Sequence, residues 1–336
     1  GWMVLRKIIR ISKAQRITSI ADFIASRYGK SRLLAVSVTL IAIVGVVPYI
    51  ALQLKAVSSA YALLTLPGVA ESTAQVPWSQ DGTFYLALVL AGFTIIFGAR
   101  HLDTTERHEG MVAAIAFESL VKLVAFLAVG AFVTYGLYNG FGDIFARAQA
   151  HPELRALMRL EQGAAFAWPQ WFAMIVLAML AVLMLPRQFQ IMVVENVHER
   201  HLRRASWVFP AYLLAINIFV LPIALGGLLY FDGQGSNPDN FVLSLPLAAG
   251  QQALALFVFV GGLSAATGMV IVESIAISIM VSNELVLPLL LRWRRVLGDG
   301  LPDLTRILLG IRRFTILLLL LLGYSYFHIA SEAYAL

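Results

Sequence analysis

"GGLSAATGMVIVESIAIS", residues 261–278, lies within an apolar run from 251 to 291 that no turn signal interrupts. It holds small residues, hydroxyls and one carboxylate, Glu273. Lipid penalises a buried charge, so a carboxylate in a membrane span is a functional candidate by default. Spanning takes about 20 apolar residues. Six further runs qualify or nearly so: 33–64, 83–99, 111–138, 170–194, 206–231 and 312–335. The opening "GWMVLR" reads as the tail of an eighth span. At 60% hydrophobic and 13% charged residues, the composition is that of a membrane protein. The absence of cysteine excludes a disulfide framework and thiol chemistry.

The net charge of +6 does not point to nucleic acid, because the basic residues fall between apolar runs. The segments 6–32, 100–110, 198–204 and 292–313 alternate with 65–82, 139–169 and 232–250, and the basic count is 19 against 3. The positive-inside bias therefore places the first set in the cytoplasm. "IADFIASRYG", 20–29, reads as a short amphipathic helix at the interface. Residues 143–162 read as a helical excursion on the outer side. His198 and His201 lie in a basic loop and read as solvated. There is no signal peptide, P-loop, dinucleotide fingerprint or metal-spaced histidine pair on a helix. The chain reads as one partial transmembrane domain, 1–336, an internal piece of a longer protein.

Two runs are unusually long. Residues 33–64 would extend roughly 48 Å as a helix, against a hydrocarbon core of about 30 Å, and 251–291 is longer still. Pro48 and Pro288 offer kinks. If the partial first span is the second helix of a repeat, the long helices are the third and eighth. They then occupy equivalent places in two inverted five-helix repeats, the plan of many secondary transporters. That plan asks for a broken sixth helix. The run 170–194 contains "LMLPRQFQIM", where Pro186 precedes Arg187, Gln188 and Gln190. A break lining a cavity and a cytoplasmic helix end with a snorkelling arginine both fit this stretch.

Several stretches resemble the sodium:solute symporter family. They are "RITSIADFIASRYGKS" at 16–31 with "PYIALQLKAVSSAY" at 48–61, "TTERHEG" at 104–110, "LPRQFQIMVVENVHERHLRRAS" at 185–206 and "GGLSAATG" at 261–268. The order and spacing of these stretches matter more than any one of them. The nearest likeness is to the transporter-like membrane half of CbrA-type sensor histidine kinases. The resemblance implies an all-α polytopic LeuT-type five-plus-five fold, here lacking the first repeat helix and the C-terminal helices. It implies a bacterial inner membrane, uptake of a small amino acid such as histidine, and Na⁺ or H⁺ as coupling ion. It further implies a kinase domain elsewhere in the parent chain and a response regulator as partner. No phosphoacceptor or ATP-binding motif lies within this chain, so it is not expected to be an enzyme itself.

The family's sodium site uses helix carbonyls and two adjacent hydroxyls. By resemblance these fall on Gly261 and on Ser264 and Ala265. With alanine at the second position, any sodium site is expected to be weak unless Thr267 or water replaces the lost oxygen. The same resemblance places an acidic residue on Glu106 and substrate-facing groups on Tyr49 and Gln53. Arg187 and Gln188 join them as candidate substrate contacts, since a guanidinium suits a carboxylate.

Charges inside the spans have plainer readings too. Glu118 and Lys122 share a helix face and could form a local ion pair, or they could serve a proton or substrate. Lys55 is expected to snorkel to the outer interface. Gly261, Ser264, Ala265 and Gly268 form a small-residue face that helix packing alone could explain. Glu273 lies on the other side of its helix, about 13 Å nearer the cytoplasm than Ser264. It reads as a proton-titrating group or as the partner of a basic residue. Three functions follow: an amino-acid transporter, a receptor that binds solute without net transport, and a proton-channel subunit of a respiratory complex. The last fits least, because only Lys122 is a deeply placed lysine.

Overall fold

The computed structural model describes residues 2–65, 77–98, 109–158, 168–232, 237–297 and 304–333. Among them there is no strand. In chain order the helices are α1 (Trp2–Gln15), α2 (Ile20–Arg27), α3 (Arg32–Thr65), α4 (Gly82–Gly98) and α5 (Glu109–Ala131). They continue with α6 (Phe141–Ala150), α7 (Pro152–Leu157), α8 (Trp168–Met184), α9 (Pro186–Phe189) and α10 (Glu199–Asn217). The last are α11 (Val220–Phe231), α12 (Phe241–Ala248), α13 (Gln252–Met280), α14 (Leu287–Leu297) and α15 (Leu304–Ala333).

Five helical stretches are long and apolar enough to cross a membrane, or six if the bent pair α8–α9 is one span. The protein is therefore a multi-pass membrane protein. Eight crossing pieces were expected from the sequence. The difference lies in two places. The apolar part of α4, Gly82–Ile96, is a shorter helix. The opening residues belong to α1, Trp2–Gln15, which is not among the helices long and apolar enough to cross on their own. That helix buries one face, at Leu5, Ile9 and Ser12, against the body. Many large apolar side chains are exposed elsewhere, as on α3 with Ile41 and Val44 and on α8 with Phe172 and Met179. Such a surface suits a hydrocarbon solvent.

α2 forms where the amphipathic stretch was read. Ser19 caps it by accepting a hydrogen bond from the Asp22 amide at 3.0 Å. α3 spans 34 residues with Pro48 inside and remains one helix. Pro186 does break its span. The axis bends by 49° between Met184 and Pro186, and a π-helical turn, Gln190–Val194, follows the short α9. Proline at the first helical position is well placed to start a new helix, because its missing N–H would be an orphan there. A second π turn, Val281–Val286, continues α13 towards α14 before Pro288.

Two apolar clusters hold these helices together, and α13 runs through both. The first joins Ile9, Ile50, Leu54, Leu90, Phe189, Ile277, Met280, Ile316 and Leu320. The second joins Val129, Val133, Ile144, Ile223, Phe241, Leu245, Ala255 and Val258. The stretch Gly261–Gly268 lies between the two on the same helix. α15 approaches α3 closely at Gly323, where an added Cβ would stand 2.6 Å from Ile50 Cγ2 and 3.1 Å from its Cβ.

Two of the basic segments, 6–32 and 198–204, meet at one end of the bundle. Arg10 Nε donates to Glu199 Oε1 at 2.9 Å, and Arg6 Nε lies 3.3 Å from Glu199 Oε2. Asn283 donates to Thr18 Oγ1 at 3.1 Å, tying the end of α13 to the start of α2. At the opposite end Asp81 joins α4 to α15. Its Oδ2 accepts from Tyr324 at 2.9 Å and lies 2.9 Å from His328 Nε2, while Oδ1 accepts from the Thr83 amide at 2.8 Å. Burial works against the Asp81 charge. The hydrogen bonds from Thr83, His328 and Tyr324 outweigh it and hold this carboxyl below the usual aspartate range. Its contribution to stability is therefore full above about pH 4 and is lost as pH falls towards its lower folded value. Thermal melts in detergent should show this acid loss, and Asp81→Asn should remove part of it. An unchanged acid profile in Asp81→Asn would count against the assignment.

Candidate functional site

The break at Pro186 puts Arg187 at the start of a helix inside the bundle. Its guanidinium donates to the Tyr49 hydroxyl of α3 and lies 5.1 Å from the Tyr49 ring centroid. The hydrogen bond and the cation–π contact fix the arginine from one side. The charge of Arg187 acts on both Glu118 of α5 and Glu273 of α13. Glu118 is 8% exposed and Glu273 3%. Glu273 Oε1 is buried with no hydrogen-bond partner. Lys122 also acts on Glu118, whereas Arg187 is the one cation acting on Glu273 among the described residues.

This changes the reading of three sequence candidates. Glu273 was separated from the proposed site by helix geometry alone. The structure brings it within reach of the Arg187 charge, though the two make no ion pair among the described residues. Glu118 and Lys122 share a face, yet Lys122 makes no ion pair among the described residues. The Glu118 carboxylate instead fills the space where Gly268 lacks a side chain, and a Cβ there would overlap it. Lys55, expected at the outer interface, also lines a cavity described below.

The stripe Gly261–Gly268 packs on α5. A Cβ on Gly261 would stand 3.1 Å from the Ala125 Cβ. Close helix approach is thus one purpose of these small residues. As a sodium site the stretch is thin. α13 is unbroken here, Ala265 is buried and brings no oxygen, and the Thr267 hydroxyl donates to the Leu263 carbonyl at 2.8 Å. Ser264 is half-buried and retains its hydroxyl. No group of three His, Cys, Asp or Glu residues suited to a metal occurs among the described residues. Glu106 lies outside the described residues.

A cavity of about 360 Å³ lies between α3, α5, α12 and α13. None of Tyr49, Gln53, Arg187 and Gln188 lines it. The four were expected to share a cavity; the structure joins only Arg187 and Tyr49, and leaves Gln53 and Gln188 half-buried. Four residues escaped the sequence reading altogether. Asp81, Tyr324 and His328 form the outer junction, and Tyr212 donates to the Ser119 carbonyl at 3.2 Å beside Glu118. Tyr324 and His328, four apart near the end of an apolar run, and Asp81 just before a helix start, were the available signal.

Comparison with known proteins gives one relative to report. The chain is 25% identical over 252 residues to an uncharacterized symporter, YhjB, of Bacillus subtilis (strain 168). The aligned region covers 74% of this chain and 46% of that protein, so the chain spans less than half the length of the relative. No family model matches the chain, and no solved structure matches it.

Proposed function

We propose that the chain is part of a secondary transporter of symporter type that carries a small solute and couples to protons rather than strongly to sodium. The observation that carries the coupling ion is the Arg187 cluster. One guanidinium serves two buried carboxylates at membrane depth, and one of them has an oxygen without a partner. A carboxylate can take up a proton without further ligands, whereas Na⁺ must exchange its hydration shell for several protein oxygens. The stretch expected to supply those oxygens offers few. The similarity to a symporter supports the transport reading.

Two long helices, a broken helix between them and the motifs quoted above support a LeuT-type repeat in a bacterial inner membrane. The same motifs support an amino acid, histidine among them, as solute. They also support a sensor kinase in the parent protein, with a response regulator downstream.

Uptake into proteoliposomes by the full-length protein tests the reading. It should collapse with a protonophore and change little when sodium is replaced by choline. Glu273→Gln keeps the size and removes the charge. It should lower proton-driven uptake by roughly 5- to 150-fold, the usual range of coupling between sites. Strong sodium stimulation with no protonophore effect would overturn proton coupling, and saturable binding with no uptake under any gradient would favour a receptor.

A further inference from the structure

The cavity between α3, α5, α12 and α13 has a chemistry of its own. Its rim carries Lys55 and the polar residues Asn237, Asp239 and Asn240. Its wall is apolar, with Phe126 and Phe259 among the larger groups, and Lys122 and Gly261 stand deeper along it. Lys55 is 23 residues along α3 from Arg32, about 35 Å, which puts it at the outer end. Lys122 is near the middle of its span, Val112–Leu137. The Lys122 Cα lies 3.9 Å from where a Gly261 Cβ would sit, so α5 and α13 pack closely at the foot of this lysine.

An ammonium group at membrane depth is expensive and usually has a partner or lines a wet cavity. Lys122 makes no ion pair among the described residues. It faces a space of about 360 Å³, within the range of small-molecule sites. We propose that this cavity is the solute site and that it takes a small carboxylate with an apolar body, the carboxylate held by Lys122 and the body against Phe126 and Phe259. Lys55 and Asp239 at the rim admit a zwitterion as readily as a simple acid. The proposal rests on the transporter reading and adds to it a ligand class and a place. It also links the cavity to the buried cluster. Glu118 lies one turn from Lys122 and feels both Lys122 and Arg187, so an anion on Lys122 changes the field at Glu118.

The test is equilibrium dialysis of the full-length protein in detergent with labelled L-leucine and labelled butyrate. Leucinamide and butanol, which lack the carboxylate, serve as competitors. At least one labelled acid should saturate a single site, and the competitors should not displace it. Lys122→Met should weaken that binding by about tenfold or more, and Lys122→Arg should retain most of it. Lys122→Met keeps the apolar stem of a side chain that makes no ion pair among the described residues, and elution of a single monodisperse species will verify that it folds. No saturable binding of either acid, equal displacement by the neutral competitors, or wild-type affinity in Lys122→Met would overturn the proposal. The transport reading fails separately. Lys122-dependent binding without uptake under any ion gradient would remove it and leave the cavity assignment standing. Uptake of a labelled acid that Lys122→Met binds and carries normally would do the reverse.

Discussion

Arg187→Leu should lower the stability of the solubilised protein by about 1–3 kcal/mol, the usual cost of leaving buried polar groups without their partner. The cause is on both sides of the arginine. Glu118 and Glu273 lose a compensating charge, and the Tyr49 hydroxyl loses its donor. Lys122 still acts on Glu118, so Glu273 is the group left most exposed to the loss. The double variant Arg187→Leu with Glu273→Gln should therefore recover a large part of the stability, and the non-additivity is the measurement. A thermal midpoint for Arg187→Leu equal to wild type would sink the cluster as described. A double variant worse than the sum of its parts would show that Glu273 depends on something else.

Gly323→Ala is the second large effect. Its Cβ would come within 2.6 Å of Ile50 Cγ2, 3.1 Å of Ile50 Cβ and 3.6 Å of the Ala51 amide nitrogen. Ile50 is fully buried and β-branched, so it has little room to turn away. Overpacking of this sort costs about 1–3 kcal/mol. The Ile50→Ala background removes Cγ2, so the cost of Gly323→Ala should nearly vanish there. Equal costs in both backgrounds would mean that α15 and α3 do not meet as closely as the structure has them.

The parts of the fold that the sequence made legible are those written in local composition. The lengths of α3 and α13, the small amphipathic α2 and the break at Pro186 each follow from a contiguous run or from one proline. The site was less legible because its contacts are distant in sequence. Arg187 and Tyr49 are 138 residues apart, and Asp81 and His328 are 247 apart. Helical azimuth separated Glu273 from Ser264 correctly as directions on one helix. It could not show that Arg187, from another helix, comes to the face on which Glu273 lies. The same limit applies to Glu118 and Lys122. Their spacing allows a pair, but Gly268 opens a place for the carboxylate and the cavity a place for the ammonium. Neither place is visible from α5 alone.

α8 shows what the break at Leu185 does for the rest of the molecule. None of its 17 residues is buried among the described residues, and Leu183 in its last turn is its one partly buried contact with the first core cluster. Protein packing thus sets little of its angle. For such a helix the balance of tilt falls to the lipid, since a hydrophobic length that does not match the hydrocarbon thickness is relieved by tilting. The joint at Leu185 passes that tilt to a point two residues from the arginine that serves both buried carboxylates. A change in the tilt of α8 is thereby carried towards the charge cluster inside the protein.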